Sequence, residues 1–217
     1  MILVVASSLD PSARELVRAW SDADARMLSA EDLCSAGWSF FPLSTQAGWL
    51  VADGKTLPVA AVEGVVVRRP AVTAEELTWI ADDDRAYVAA EINAFLVAWL
   101  CALPCCVLNR PTPTSLCGPA WSQLHWRVAA ARRGIHWSES AAAPTQQQAI
   151  FCRSAQHGAS SAGQNQTGRE LLRASATQLL GVEFDGEAVA AVTVQPQLSR
   201  AAVRAMVLSQ LLGEVCT

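Results

Sequence analysis

The residues from Leu103 to Ile135 limit the possible folds of this chain more than any other stretch does. They begin with a short apolar run, Cys105 to Leu108, which is typical of a strand buried on both faces of a sheet. Prolines at 111 and 113 then fix the backbone and remove N–H donors, so residues 109–118 are predicted to form a loop. With a helix after the loop, this is half of a βαβ unit, and open parallel sheets bind ligands at the carboxyl ends of such strands.

The helix of this unit is predicted to begin at Pro119 and to stop at Gly134, because proline suits the first helical turn and glycine suits the left-handed position after the last. Arg132 and Arg133 favour the same C-terminus through the helix dipole. The apolar residues that share the predicted inner face are Trp121, Leu124, Val128 and Ala131.

Similar elements precede this unit. The predicted strands are Ile2 to Ala6, Arg26 to Ser29 and Val65 to Val67, and the predicted helices are Pro11 to Trp20 with Asp10 as its N-cap, a short one capped by Thr73 and Glu76, and a long one from Asp82 to Ala102. Between them, Asp53-Gly54 with apolar flanks predicts a β-hairpin. The order of elements predicts an α/β fold with an open, mostly parallel, Rossmann-like sheet.

Composition excludes several classes of function. The chain has 217 residues, is 52% hydrophobic and carries a net charge of −4, so it can bury a sizeable core and lacks the basic character of nucleic-acid-binding proteins. No uninterrupted apolar run reaches the length of a membrane span, and the apolar start lacks the basic residues of a signal peptide. We therefore expect a cytoplasmic protein that binds neither nucleic acid nor membrane.

The sequence predicts no metal site and no nicotinamide cofactor. The three histidines and seven cysteines lack the spacings of metal ligands, and the turn SSLDPS after the first strand lacks the glycines that cradle phosphates. The cysteines are interpreted as structural thiols. Lys55 is the only lysine, which excludes mechanisms that place two lysines on phosphates.

Polar residues follow three predicted parallel strands and are expected to meet at one edge of the sheet. These ligand-binding candidates are Ser7, Ser8, Arg68, Arg69, Asn109 and Arg110. In the structural alternative, Arg68 or Arg69 pairs with an acidic residue and Asn109 caps its loop.

The chain changes character after Gly134. Residues 141–168 are predicted to be a linker, in which the polar, low-complexity stretch 154–168 is a mobile loop, although 148–153 fits a strand. A helix from Gly168 to Leu180 and a hairpin that turns at Asp185-Gly186 are predicted next. A final helix from Ser199 to Leu212 completes a small α/β layer.

Three short motifs, VVVRRP (65–70), VLNRP (107–111) and QLHWRVAAARRGI (123–135), resemble in order and spacing the pre-ATP-grasp domain of ATP-grasp ligases. The branch they resemble comprises the ribosomal-peptide maturases that cross-link graspetides, together with the related glutamate ligases. The stretch LLGVEFDGEAVAAVTVQPQ resembles the end of the catalytic domain of such ligases. The resemblance implies a pre-ATP-grasp domain at residues 1–140, a linker at 141–168 and a remnant of the catalytic domain at 169–217.

The resemblance also implies that this chain lacks the family's magnesium ligands and its nucleotide-contacting lysine. The family's magnesium-binding pair corresponds to Thr193 and Gln195, and its nucleotide-contacting lysine corresponds to Ala120. Neutral side chains are poor replacements for charged magnesium ligands, and phosphoryl transfer depends on cationic and metal stabilisation. A segment with a second lysine and the lid loop also has no counterpart, so the catalytic domain is interpreted as truncated and ATP and magnesium are not expected to bind.

The leading hypothesis is a non-catalytic, ATP-grasp-like binding or accessory subunit of a peptide-modifying pathway. The resemblance implies a homodimer, or a complex with a full-length ligase or a precursor peptide. Two alternatives stay open: an enzyme whose repurposed site performs acyl or amide-bond chemistry with Arg68, Arg69 and Asn109 on a carboxylate, and one half of a split ATP-dependent ligase.

Overall fold

The computed structural model describes residues 1–42, 44, 47–139 and 148–213. The chain forms two compact units. The first contains Met1–Cys117 and the residues from Leu211 onward, and the second contains Gly118–Gln210. Trp126 and Ala130 of the helix after Gly118 belong to the core of the second unit.

The first unit is built on a four-stranded parallel sheet. Its strands are β1 (Ile2–Val5), β2 (Ala25–Leu28), β6 (Gly64–Val67) and β7 (Cys106–Leu108), in the order β2-β1-β6-β7. β1, β6 and β7 are buried along their whole length, as expected for apolar strands in a sheet that is covered on both faces. The predicted α/β fold with a parallel sheet is confirmed.

The helices of this unit are α1 (Pro11–Ala19), α2 (Ala30–Leu33) and α3 (Asp82–Ala102), with a short 3₁₀ turn at Ala74–Glu76 before α3. The side chain of Asp10 accepts from the Ser12 N–H at 2.8 Å, which confirms it as the N-cap of α1. A separate antiparallel sheet contains β3 (Ser39–Phe40), β4 (Gly48–Ala52) and β5 (Lys55–Pro58). Its β4–β5 connection is the predicted Asp53-Gly54 turn, in which both residues have positive φ.

One stretch of α3, Arg85–Ala102, has the length and mean hydropathy (1.3) of a helix that could cross a membrane, and it is the only such stretch in the described parts of the chain. It is interrupted by Glu91, which is exposed. Its inner face buries Leu96, Trp99 and Leu100 almost completely. A core helix passes the same test of length and composition, so we interpret α3 as part of the core of the first unit.

The second unit is an antiparallel sheet with helices. Its strands are β8 (Gln148–Cys152), β9 (Gln156–His157), β10 (Leu179–Asp185) and β11 (Ala188–Thr193), in the order β11-β10-β8-β9. The helices are α4 (Gln123–Ala131), α5 (Ala162–Ala174) and α6 (Ala201–Gly213), the last of which continues into the first unit. Trp126, Phe151, Leu171, Leu180 and Val182 are central to its core.

Two sequence predictions in this unit need correction. α4 begins at Gln123, capped by Ser122, and not at Pro119, and it buries Trp126 and Ala130. Leu124 and Val128, placed on the inner face by the sequence, are 68% and 45% exposed. The error arose because the prediction extended the apolar pattern back to Trp121, which lies before the helix.

The polar stretch 154–168 is also more regular than predicted. It contains β9 and the first half of α5, which starts at Ala162, where the sequence placed a mobile loop followed by a helix from Gly168. Ser161 caps α5 by accepting from the Gln164 N–H at 3.0 Å. Leu179 and Leu180, predicted at the helix end, belong to β10. Of the predicted linker, residues 141–147 lie outside the described residues.

Candidate functional site

The carboxyl edge of the parallel sheet is the candidate site. Val5 of β1 is paired with both Leu28 and Val67, and Val66 is paired with Leu108. Because the strands are parallel, the residues that follow β1, β6 and β7 leave the sheet on the same edge. The predicted binding residues that leave there are Ser7, Ser8, Arg68, Arg69, Asn109 and Arg110.

Arg69 is almost buried at this edge, with 6% of its surface exposed. Its Nε donates to the Ala71 carbonyl at 2.9 Å, and its Nη2 donates to the carboxylate of Glu76. Its Nη1 is buried and has no hydrogen-bond partner among the described residues. The charge of Arg69 is thus neutralised by an acid of the same unit. This is the arrangement expected if Arg69 stabilises the fold and does not bind a ligand.

Glu76 connects three parts of this edge. Its carboxylate accepts from the Thr73 N–H at 3.2 Å as well as from Arg69. Burial raises the pKa of Glu76, but the hydrogen bond from Ser7, the charge of Arg69 and the Thr73 N–H together outweigh burial, so the pKa lies below its ordinary value. Glu76 is therefore ionised at neutral pH.

Arg68 is also near an acid. Its Nε lies 3.8 Å from Oδ2 of Asp10, and its backbone N–H donates to the Val5 carbonyl at 2.8 Å. Its charge acts on Cys117 as well: burial raises the pKa of that thiol, while a hydrogen bond with Ser115 and the charge of Arg68 offset the rise only in part. Cys117 is therefore a neutral, buried thiol at neutral pH.

The two serines of the β1 turn point to different partners. Ser7 Oγ accepts from the Leu9 N–H at 3.3 Å, and its hydroxyl donates to Glu76. Ser8 Oγ donates to Oε1 of Glu31 at 3.1 Å. The structure thus brings Ser7, but not Ser8, into the group around Arg69.

The residues after β7 are held by the fold. Asn109 is buried and follows a cis peptide bond at Leu108–Asn109. Arg110 points back to the C-terminus of α3, where its guanidinium donates at 3.1 to 3.2 Å to four main-chain carbonyls, those of Leu100, Cys101, Leu103 and Cys105. Positive charge is favourable at a helix C-terminus, so Arg110 is placed as a helix cap.

The edge is therefore balanced in charge. Arg68 and Arg69 face Asp10 and Glu76, so an incoming anion would compete with two carboxylates already in place. Sequence reasoning located both arginines but gave Asp10 and Glu76 only capping roles. The sequence signal that was missed is the short separation of Arg69 and Glu76, which are seven residues apart in a segment that turns back on itself. The Glu76 carboxylate can therefore cap the Thr73 N–H and form an ion pair with Arg69 at the same time.

A cavity of about 360 Å³ lies beside the exit of β6. Ala71, Asn93, Ala94, Thr114 and Leu116 are among its lining residues. Asn93 is fully engaged, since its side chain accepts from the Val72 N–H at 2.9 Å and donates to the carbonyls of Val72 and Ala89 at 2.8 Å each. The cavity is thus lined mainly by small and apolar groups.

No known family profile matches the chain, and no curated protein matches it. Solved structures do match over nearly their whole length. The ATP-grasp ligase PsnB, complexed with a minimal precursor, Mg and ADP, superimposes with a TM-score of 0.67 at 8% identity, covering 97% of this chain and 98% of that chain. The same ligase complexed with the minimal precursor gives 0.65 at 8% identity, covering 96% and 98%. The macrocyclase MdnB from Microcystis aeruginosa MRC gives 0.62 at 12% identity, covering 98% and 99%.

The chain shares the fold of these ATP-grasp ligases. At identities this low, a shared fold does not imply a shared activity.

The three positions at which the ATP-grasp resemblance implied nucleotide or magnesium contacts lie in the second unit. Ala120 is exposed in the segment before α4, and Thr193 ends β11. Thr193 Oγ1 accepts from the Gln195 N–H at 3.1 Å, so this hydroxyl is used in a local turn. None of these side chains carries a charge, which matters because a magnesium site is built from hard, usually anionic oxygen ligands.

Gln123, the first residue of the QLHWRVAAARRGI motif, has a structural role. Its side-chain amide donates to the Val192 carbonyl at 2.9 Å and accepts from the Val192 N–H at 3.3 Å. It therefore pairs with the outer edge of β11 at Val192, as the segment around Trp137 does at Val189, and joins the start of α4 to the sheet.

Proposed function

We propose that this protein is a non-catalytic, ATP-grasp-like accessory subunit that acts in a peptide-modifying pathway in the cytoplasm. The observation that carries the proposal is the combination of an ATP-grasp-related fold with neutral side chains at Ala120, Thr193 and Gln195. Two of the matching structures, PsnB with its minimal precursor and the macrocyclase MdnB, support the choice of a peptide-modifying pathway.

The charges of the chain support the non-catalytic part of the proposal. Phosphoryl transfer needs cations and a metal at the developing negative charge. Lys55, the single lysine, is exposed beside the Asp53-Gly54 turn of the hairpin sheet, and the arginines after β6 are paired with acids. The protein thus lacks free lysines or arginines at these positions for phosphoryl transfer, and we include a shortened catalytic domain in the proposal.

Calorimetry with ATP and magnesium on the whole chain tests the non-catalytic role. We expect no magnesium-dependent heat of binding, and a complete ATP-grasp ligase measured in parallel should give one. Tight, magnesium-dependent nucleotide binding would contradict the non-catalytic role and favour one half of a split ligase.

The accessory role predicts a partner, either a second copy of this chain, a full-length ligase or a precursor peptide. Light scattering on the purified chain, alone and after co-expression with an ATP-grasp ligase encoded beside its gene, measures which assembly forms. A chain that stays monomeric and leaves the modification rate of that ligase unchanged would exclude the accessory role.

A further inference from the structure

Three arginines surround one cavity in the second unit. The cavity has a volume of about 460 Å³ and is lined by Arg153, Arg169, Leu172, Arg173, Ala176 and Thr177. Arg169 and Arg173 lie one turn apart on α5, and Arg153 directly follows β8. None of the three belongs to the positions at which the ATP-grasp resemblance implied nucleotide or magnesium contacts.

No acid of the described residues forms an ion pair with these arginines. Within the described part of the chain, none of the three lies within ion-pair distance of a carboxylate, whereas Arg68 and Arg69 of the first unit do. Arg169 instead donates to Asn165 Oδ1 at 3.2 Å and to the Arg153 carbonyl at 3.5 Å. Glu170, the acid between the two helical arginines, accepts from Gln166 at 3.0 Å. The cavity therefore gathers three positive charges and no acid among its lining residues.

The C-terminus of α5 explains only part of this arrangement. A cation in the last helical turn is stabilised by the helix dipole, and Arg173 lies there. The dipole supplies only about half of a negative charge, which is far less than three guanidinium groups carry. Like charges one helical turn apart also destabilise each other. Among the described residues, no carboxylate lies within ion-pair distance of Arg153 or Arg169, so both guanidinium groups are available to an anion from solution.

We propose that this cavity binds a small ligand that carries a phosphate group. A phosphate offers more than one negative charge and several acceptor oxygens, so it can accept from two or three guanidinium groups at once. A lone carboxylate offers one charge and two oxygens. The Thr177 hydroxyl lies 2.8 Å from Ser175 Oγ in the cavity wall and adds a neutral polar group. The volume lies within the range of roughly 300–1,000 Å³ of small-molecule sites, which leaves room for an organic group beside the phosphate.

Inorganic pyrophosphate is the probe, titrated calorimetrically into the whole chain at low salt. The test variant is Arg169→Gln with Arg173→Gln, and the matched control is Arg132→Gln with Arg133→Gln, which removes two charges at the end of α4 in the same unit. We expect the test variant to weaken binding about tenfold or more and the control to change it less than twofold, because hydrogen bonds between a guanidinium group and a phosphate are charge-assisted and stronger than neutral ones. Binding should also weaken with added salt.

Three outcomes would overturn the proposal. They are the absence of pyrophosphate binding, equal losses in the two double variants, and binding of malonate as tight as that of pyrophosphate, which would assign the cavity to carboxylates. If the test variant fails to fold, as judged by its circular dichroism, the single variant Arg153→Gln replaces it, because Arg153 is exposed and lies outside the helix. The result does not depend on the proposed accessory role, since that role is tested by magnesium-dependent ATP binding and by assembly, and binding that is lost in Arg169→Gln with Arg173→Gln is assigned to this cavity.

Discussion

At the scale of single residues, Arg69 and Glu76 determine what the carboxyl edge of the parallel sheet can do. Their side chains are 7% and 23% exposed, so each leaves an uncompensated, largely buried charge if the other is removed. The same carboxylate holds Ser7 and the Thr73 N–H, which ties the β1 turn to the segment before α3. The sequence predicted a cationic ligand site at this edge of the sheet. In the structure, the arginines of this edge form ion pairs with acids of the same unit.

Glu76→Gln is expected to change how stability depends on pH. The pKa of Glu76 in the folded protein lies below its ordinary value of 4.5, so the unfolded chain binds a proton more readily than the folded one. The stabilisation is complete above the ordinary value and is lost as pH falls through the folded pKa. Urea unfolding should thus find wild type more stable than Glu76→Gln at about pH 7, with the difference shrinking as pH falls below the ordinary pKa of 4.5.

Glu91→Gln is the control for this prediction, since Glu91 is exposed in the middle of α3. It should follow the wild-type profile. A stability difference between wild type and Glu76→Gln that stays constant over the whole pH range would show that the charge of Glu76 does not stabilise the fold.

Only part of the candidate site could be predicted from the sequence. The order of strands was sufficient to place Arg68 and Arg69 at the carboxyl edge, because parallel strands deliver their next residues to the same side. It was not sufficient to identify Asp10 as the acid beside Arg68, since the two lie in different elements and only the folded loops bring their side chains to 3.8 Å.

At the scale of elements, the strands and turns were predictable, whereas the inner face of α4 and the start of α5 were not. The hairpins at Asp53-Gly54 and Asp185-Gly186 follow from local turn chemistry, and the buried strands follow from their apolar residues. α4 was placed with the wrong inner face, because a helix that starts a few residues later presents a different set of side chains. α5 was missed in its first half because its glycine, glutamine and asparagine residues resemble a linker.

Close packing explains why α5 contains glycine at position 168. It lies in the helix with the Phe151 ring so close that an added Cβ would come within 2.2 to 2.4 Å of three ring carbons. Gly168→Ala should therefore destabilise the protein by about 1–3 kcal/mol through overpacking, despite the better helix propensity of alanine. Thermal and urea unfolding measure the loss.

The matched control is Gly163→Ala in the first turn of the same helix. Its added Cβ would meet only the end of the flexible Glu187 side chain, which can move away. It should leave stability unchanged or raise it by up to about 1 kcal/mol. If both alanine variants unfold like wild type, α5 does not pack on β8 as described.

At the scale of the whole molecule, the reactivity of the cysteines measures whether the cores of both units are folded. The chain has seven, and the six that the structure describes are not in disulfides. Cys34 and Cys101 are exposed, whereas Cys106 and Cys117 in the first unit and Cys152 in the second are buried. The sequence spacing of the cysteines does not distinguish the exposed thiols from the buried ones, because burial depends on the folded structure.

Brief alkylation of the native protein, mapped by mass spectrometry, should label Cys34 and Cys101 and spare the three buried thiols. Cys117 should be among the slowest, because burial raises its pKa and the thiolate is the reactive form. The same reagent in denaturant should label all seven, which controls for intrinsic reactivity. Labelling of Cys117 as fast as that of Cys34 in the native protein would contradict the first unit's core, and fast labelling of Cys152 would contradict that of the second. The two units are thereby tested separately within one intact chain.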